Sequence, residues 1–336
     1  MPSIKHGLIA LTLLATAALS ACGGSDTKKT ADGSTELRYQ GNVGTVHPAE
    51  LAENLGYLPG LKLKWVGNTI SGPQDIQAAA TGQTDFGGAF NGAVIKLVAA
   101  KSPIEAVVSY YGSDKDTYLG FYVLDKSPIK SAKDLIGKKI GVNTLGAHAE
   151  AVIKEYLKRG GLTPDEIKKV ELIVVPPVNT EQSLRQNQID VAQLGGILRD
   201  KAEERGGVRP LFKDIDLLGE FNAGTIVLRK DFISKHPAEA KTFTTGIGKA
   251  LDWARTTPRD QVIAKFKDII TKRGRNEDLA TIAFFKGYGV SSPGGAIADK
   301  ELQTWIDWLT REGEIKSGLK PSDIYTNEFN AGAVAK

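Results

Sequence analysis

The sequence predicts an α/β protein of two lobes joined by two crossing strands, with C-terminal helices returning to pack on the first lobe. Three observations carry this. Short apolar runs alternate with helically periodic stretches from about residue 36 to 215, as expected of largely parallel sheets. The strand–loop–helix unit recurs with a glycine or another small residue at each helix start. Two β-rich segments, 117–124 and 219–228, join one set of units to the next, and from about 231 onward the pattern is helical.

The elements follow in order. "LRYQ" (37–40) reads as a strand and "PAELAENLG" (48–56) as a helix, with Pro48 in the first turn, where a missing N–H costs little. "LKLKWV" (61–66) alternates like a strand. Pro73 opens the helix "PQDIQAAATG". "DFGGAF" (85–90) is a short strand, and Asn91 is placed to cap "GAVIKLVAAK". "IEAVVSYY" (104–111) closes the first set. The second opens on the strand "KKIGV" (138–142). The next helix buries Ala149, Val152, Ile153, Tyr156 and Leu157, spaced i, i+3, i+4, i+7, i+8, and ends at Gly160-Gly161. "VELIVV" (170–175), "TEQSLRQNQ", "IDVAQLG" and "ILRDKAEERGG" then alternate strand and helix. Further helices are expected at 237–256, 259–272, 276–287 and 299–312.

The N-terminus sets the compartment. Lys5 precedes an apolar run from Gly7 to Leu19, a signal-peptide core too short to span a bilayer. "LSAC" (19–22) resembles the bacterial lipobox, in which the chain is cut before the cysteine and its thiol is lipidated. Residues 1–21 are thus expected to be a signal peptide, and 22–35 a flexible tether on an acylated Cys22. Cys22 is the one cysteine, which excludes an internal disulfide and a cysteine-rich metal site. The formal charge is +4, and charges of both signs are interspersed. No basic run points to nucleic acid.

Helix starts carry the functional signal. A helix N-terminus presents unpaired N–H groups and the positive end of the macrodipole. In open α/β sheets these starts lie at the carboxyl edge of the strands, where ligands bind. Four stand out: His47, Ser71-Gly72, Phe90-Asn91-Gly92, and Thr144 to His148. Each alone is satisfied by ordinary capping. Converging on one cleft, they make an anion site without a cluster of Lys or Arg.

The ordered segments "SGPQDIQAAATGQTDFGGAFNGAVI", "SPIKSAKDLIGKKIGVNTLGAHAEAVIKEYLKRGGL", "PPVNTEQSLRQNQIDVAQLGG" and "RKDFISKHPAEAKTF" resemble periplasmic binding proteins for aliphatic sulfonates, taurine and nitrate. The resemblance holds from about 36 to 312. It implies a two-lobed type II binding fold, with lobe 1 at 36–122 and 222–336 and lobe 2 at 123–221. It also implies a monomer that closes on a small organic anion and delivers it to an ABC permease and its ATPase. The matching ligand positions are Gln40, Ser71, Gly72, Phe90 and Asn91 in the first lobe, to which the helix start adds His47. In the second they are Thr144, Leu145, Gly146, Ala147, His148 and Gln193, with Glu220 near the second crossing strand, placed for a ligand amino group. Many sulfonate binders carry an aromatic residue just after the segment matching Asp190 to Ala192. Here Gln193, Gly195 and Gly196 leave room for a bulkier or more polar ligand.

Other chemistry finds less support. His148 and Glu150 do not share a helix face, and two histidines make a poor zinc site, so no metal is expected. His148 is left to contact the ligand or to cap and cover its helix. There is no G-x-S-x-G elbow, and "GIGKAL" lies inside a helical pattern, so neither a catalytic residue nor a cofactor is expected. Asp85 and Asp190 are expected to pair with backbone amides at strand corners. Tyr110 and Tyr111 suit cleft or core, and Trp305 and Trp308 the core. A pyrimidine thiamine precursor or another aromatic solute is the alternative ligand, stacking on Phe90 or Tyr111. An enzyme on the same fold ranks below both.

Overall fold

The computed structural model describes residues 28–334. Cys22 and the expected signal peptide lie outside them. The first set runs β1 (Thr35–Gly41), α1 (Pro48–Asn54), β2 (Leu61–Asn68), α2 (Gly72–Ala80), β3 (Phe86–Phe90), α3 (Asn91–Ala99) and β4 (Ile104–Ser113). The second runs β5 (Leu119–Leu124), β6 (Lys139–Val142), α4 (His148–Arg159), α5 (Pro164–Ile167), β7 (Glu171–Val174), α6 (Pro177–Arg185), β8 (Val191–Gly195), α7 (Gly196–Arg205), β9 (Val208–Lys213) and α8 (Asp214–Leu218). The chain then returns through β10 (Phe221–Arg229) to α9 (Lys230–Lys235), α10 (Pro237–Thr256), α11 (Arg259–Arg273), α12 (Asp299–Arg311) and α13 (Ala331–Val334).

The two crossing strands change the sheets from the largely parallel form expected. β1 and β2 pair in parallel, as do β6 with β7 and with β8. β10 enters antiparallel between β3 and β4, and β5 enters antiparallel between β8 and β9. A strand that arrives from the opposite lobe enters its new sheet from the far end, so it runs against its neighbours. β5 pairs wholly within the five-stranded sheet, so a boundary after residue 122 would cut a strand. The connecting segments are 114–118 and the stretch from α8 to β10.

Each lobe has its own core. Leu37, Leu51, Phe86, Phe243 and Phe266 belong to the first, where α10 and α11 pack on α1. Ile95, Ile104, Trp305 and Ile306 fill the space between α3 and α12, as the i, i+3 tryptophan pair predicts. Phe121, Ile140, Val152 and Phe212 fill the second lobe.

Three local expectations need correction. Residues 276–287 form only a short 3-10 turn, Leu279–Phe284. The guanidinium of Arg259 takes the carbonyls of Phe285 (2.8 Å) and Ala283, holding this segment in its turn. Asn91 does not cap α3. It is the first helical residue, and its side-chain amide donates to the carbonyl of Asn222 in β10 at 3.1 Å. "VRPLFK" is the unforeseen strand β9, which tolerates Pro210 because it is an edge strand.

Candidate functional site

The helix starts of both lobes meet at one cleft of about 420 Å³. Local sequence explains the approach. Gly72 lets the start of α2 lie against β3, since a Cβ there would stand 3.0 Å from the Cα of Ala89. Gly88 leaves room for Tyr110, whose ring carbon Cζ lies 2.6 Å from where a Cβ would stand. Asp85 and Asp190 act as corner ties: Asp85 accepts the N–H of Arg38 at 2.6 Å, and Asp190 that of Lys139 at 2.9 Å.

Seven of the sequence-derived candidates line the cleft: His47, Ser71, Gly72, Phe90, Ala147, His148 and Gln193. The other six do not. Thr144 sits at the mouth, where the Ser71 hydroxyl donates to its Oγ1 across the lobes at 3.2 Å. Leu145 is exposed, and the N–H of Gly146 is held by Glu150 at 2.7 Å. Asn91 is turned toward β10, as described above. Gln40 lies in the register shift of β1, its Oε1 buried without a partner. Glu220 is exposed outside the lining.

The lobes also touch across the cleft. Asn143 donates to the carbonyl of Ile70 at 3.2 Å, and the ring of His148 stacks on Phe90 at 5.1 Å. Lys286 pairs with Asp200 at 3.0 Å, and Lys154 with Glu314 at 3.5 Å. Below, Asp214 ties the crossing segments together. It is fully buried and accepts from the Ser113 hydroxyl, from the N–H of Leu119 at 3.0 Å and from that of Ile215 at 2.7 Å. His148 Nε2 lies 3.2 Å from its Oδ2. Arg199, equally buried, stacks on Tyr118 and donates to the carbonyl of Asp116 at 2.7 Å.

The electrostatics differ from those of a plain anion pocket. The charged side chains among the lining residues are Asp75, Asp116, Asp200 and Lys286. Burial pushes the His47 imidazole down to about 4, so it is neutral at physiological pH. Its Nδ1 accepts from the N–H of Ala49 at 3.1 Å. Burial pushes the Asp75 carboxyl up to about 7, against the opposing hydrogen bond from Gly88. The phenols of Tyr110 and Tyr111 are held protonated, chiefly by burial. Acidic residues also occupy the first turns of three helix starts: Glu50 in α1, Asp75 in α2 and Glu150 in α4. Asp75, Asp116, Asp200, Lys286 and Tyr288 were not found from sequence. Nothing in their local pattern separates them from ordinary surface or helix positions, and only the fold brings them to the cleft.

Known proteins share both the sequence pattern and this architecture. A protein of Brucella abortus (strain 2308), named provisionally as a binding protein, is 25% identical over 269 residues, 77% of this chain and 79% of that one. The taurine-binding periplasmic protein of Escherichia coli (strain K12) is 26% identical over 178 residues, 52% of each. The alkanesulfonate-binding protein of Xanthomonas axonopodis pv. citri, solved with MOPS, superposes with a TM-score of 0.68 at 19% identity, covering 87% of this chain and 98% of that one. The fold is therefore the two-lobed one of periplasmic binding proteins. A family model described as NMT1/THI5 like matches residues 48–261, more than half of the chain, and the chain belongs to that family.

Proposed function

We propose that this protein is the solute-binding component of an ABC import system. It captures a small molecule between lobes divided at 114–118 and 214–220, and the closed form is handed to the permease. The observation that carries this is the cleft between the lobes, with contacts such as Ser71 to Thr144 bridging them. The names of its relatives support a ligand with a sulfonate or similar anionic group, held at the starts of α2 and α4. The rings of Phe90, Tyr110 and Tyr111 on the wall favour the second reading, an aromatic solute such as a pyrimidine thiamine precursor. We further propose export and anchoring through a lipid on Cys22. Mass spectrometry of the membrane-extracted protein checks that directly: an unmodified Cys22 would remove the anchor from the proposal.

The test of solute capture is a thermal-shift screen against alkanesulfonates, taurine, nitrate, aromatic sulfonates and pyrimidines. A ligand at 100 times its dissociation constant adds about 2.7 kcal/mol of stability. A hit recovered chemically unchanged, together with a more compact scattering envelope, supports capture by closure. Turnover of the ligand would replace binding with catalysis.

A further inference from the structure

Asp75 is a carboxylate with no cation to answer it. It lies in the first turn of α2, lines the cleft and is 7% exposed. Its Oδ2 accepts the N–H of Gly88 at 2.7 Å, while its Oδ1 is buried with no hydrogen-bond partner. Among the described residues no lysine, arginine or histidine pairs with it. The elements around it add no positive charge. β3 has no ionisable residue, Tyr110 faces it from β4, Lys96 of α3 is paired with Glu314, and Arg229 of β10 with Asp231.

A buried charge without a partner is costly, and a neutral acceptor at this position would serve Gly88 equally well. The fold therefore uses one oxygen of Asp75 and leaves the other oxygen and the charge unused. Its surroundings favour one kind of partner. Asp116 and Asp200 add negative charge to the lining, and Lys286 is already held by Asp200. The aromatic faces of the wall attract cations.

We propose that Asp75 selects the ligand by taking a positively charged nitrogen, so that the cleft prefers an amine-bearing solute, a zwitterion or an organic cation, over a bare anion. The inference rests on the cleft being the solute site. Asp75 is a specificity residue here, and no chemistry on the ligand is implied.

Matched probes differing at the nitrogen test it: taurine against 2-hydroxyethanesulfonate, and 3-aminopropanesulfonate against propanesulfonate, titrated calorimetrically. At pH 8 the amine of each pair is expected to bind at least about tenfold tighter. That advantage should fall about tenfold per pH unit below about 7, as Asp75 takes up a proton. On the native protein at pH 7, in two buffers of different ionisation enthalpy, amine binding should release protons. Asp75→Asn keeps an acceptor for Gly88 and should bind both members of a pair alike, with its fold intact by melting. Equal binding of both members by the native protein, or tighter binding of the nitrogen-free one, overturns the inference and leaves solute capture standing. If no probe of either kind binds and scattering shows no closure, both fall.

Discussion

The same carboxylate makes a prediction about stability alone. Burial raises the Asp75 carboxyl from 3.8 to about 7 in the folded chain. Between those values the folded state holds a proton that the unfolded state has lost. Folding stability therefore falls as pH rises through this window, and the loss is complete above about 7. About three units at 1.36 kcal/mol each set a ceiling of about 4 kcal/mol. The opposing hydrogen bond from Gly88 is already included in that raised value, so an effect approaching about 4 kcal/mol is expected. The amide introduced by Asp75→Asn does not titrate, so that variant should be more stable than the native protein at pH 8. The two should converge toward pH 4, where the unfolded native chain also begins to take up its proton. Urea denaturation of both proteins at the two pH values measures the difference, and subtracting the curves removes every other titrating group. A variant no more stable at pH 8 than at pH 4, relative to native, would mean that a cation compensates Asp75 and would refute the reasoning. A stabilised variant with weakened amine selectivity is the signature of a residue kept for function at a cost to the fold.

Three further predictions concern the contacts at and between the lobes. Thr144→Val removes the hydrogen bond to Ser71 at the mouth and should weaken ligand binding about three- to tenfold, read by calorimetry, with the ligand-free melting temperature unchanged. Asp214→Ala strands the N–H of Leu119, the Ser113 hydroxyl and His148 around a buried gap. It should cost about 3–5 kcal/mol in denaturant unfolding, far more than a surface substitution. Glu314→Lys sets a positive charge against Lys96 and Lys154, so the ligand-free radius of gyration should increase at low salt and return toward the native value as salt screens the repulsion. A native-like radius at low salt would show that the Lys154–Glu314 pair does not hold the lobes together.

Asp214 and Arg199 tie the two connecting segments to the rest of the fold. Asp214 begins α8 yet reaches the end of β4 and the start of β5, so it links both crossings and the first residue of α4. Arg199 holds the carbonyls of Asp116 and Tyr118 from α7. In the proposed closure, one lobe would move relative to these fixed points. His148 sits at the meeting of the lobes, stacked on Phe90 of the first and 3.2 Å from Asp214 of the second.

Local pattern was enough to find the building units. Apolar spacing placed α4 and buried Ala149, Val152, Ile153 and Leu157, and the recurring small residues marked the helix starts, because both are local consequences of periodicity and backbone sterics. It also brought out six of the seven cleft residues, since helix starts in such a fold gather at one edge, while Gln193, in β8, came from the resemblance to a known family. The directions of β5 and β10 in their sheets emerged only on assembly, because pairing across lobes leaves no trace in local pattern. Assembly also turned Asn91 toward β10, left Glu220 in solvent, and brought Asp75, Asp200 and Lys286 to the cleft. A carboxylate in a helix's first turn looks the same in sequence whether water or a protein wall surrounds it. Burial and the absence of a counter-charge are properties of the assembled fold, and they give Asp75 its charge behaviour.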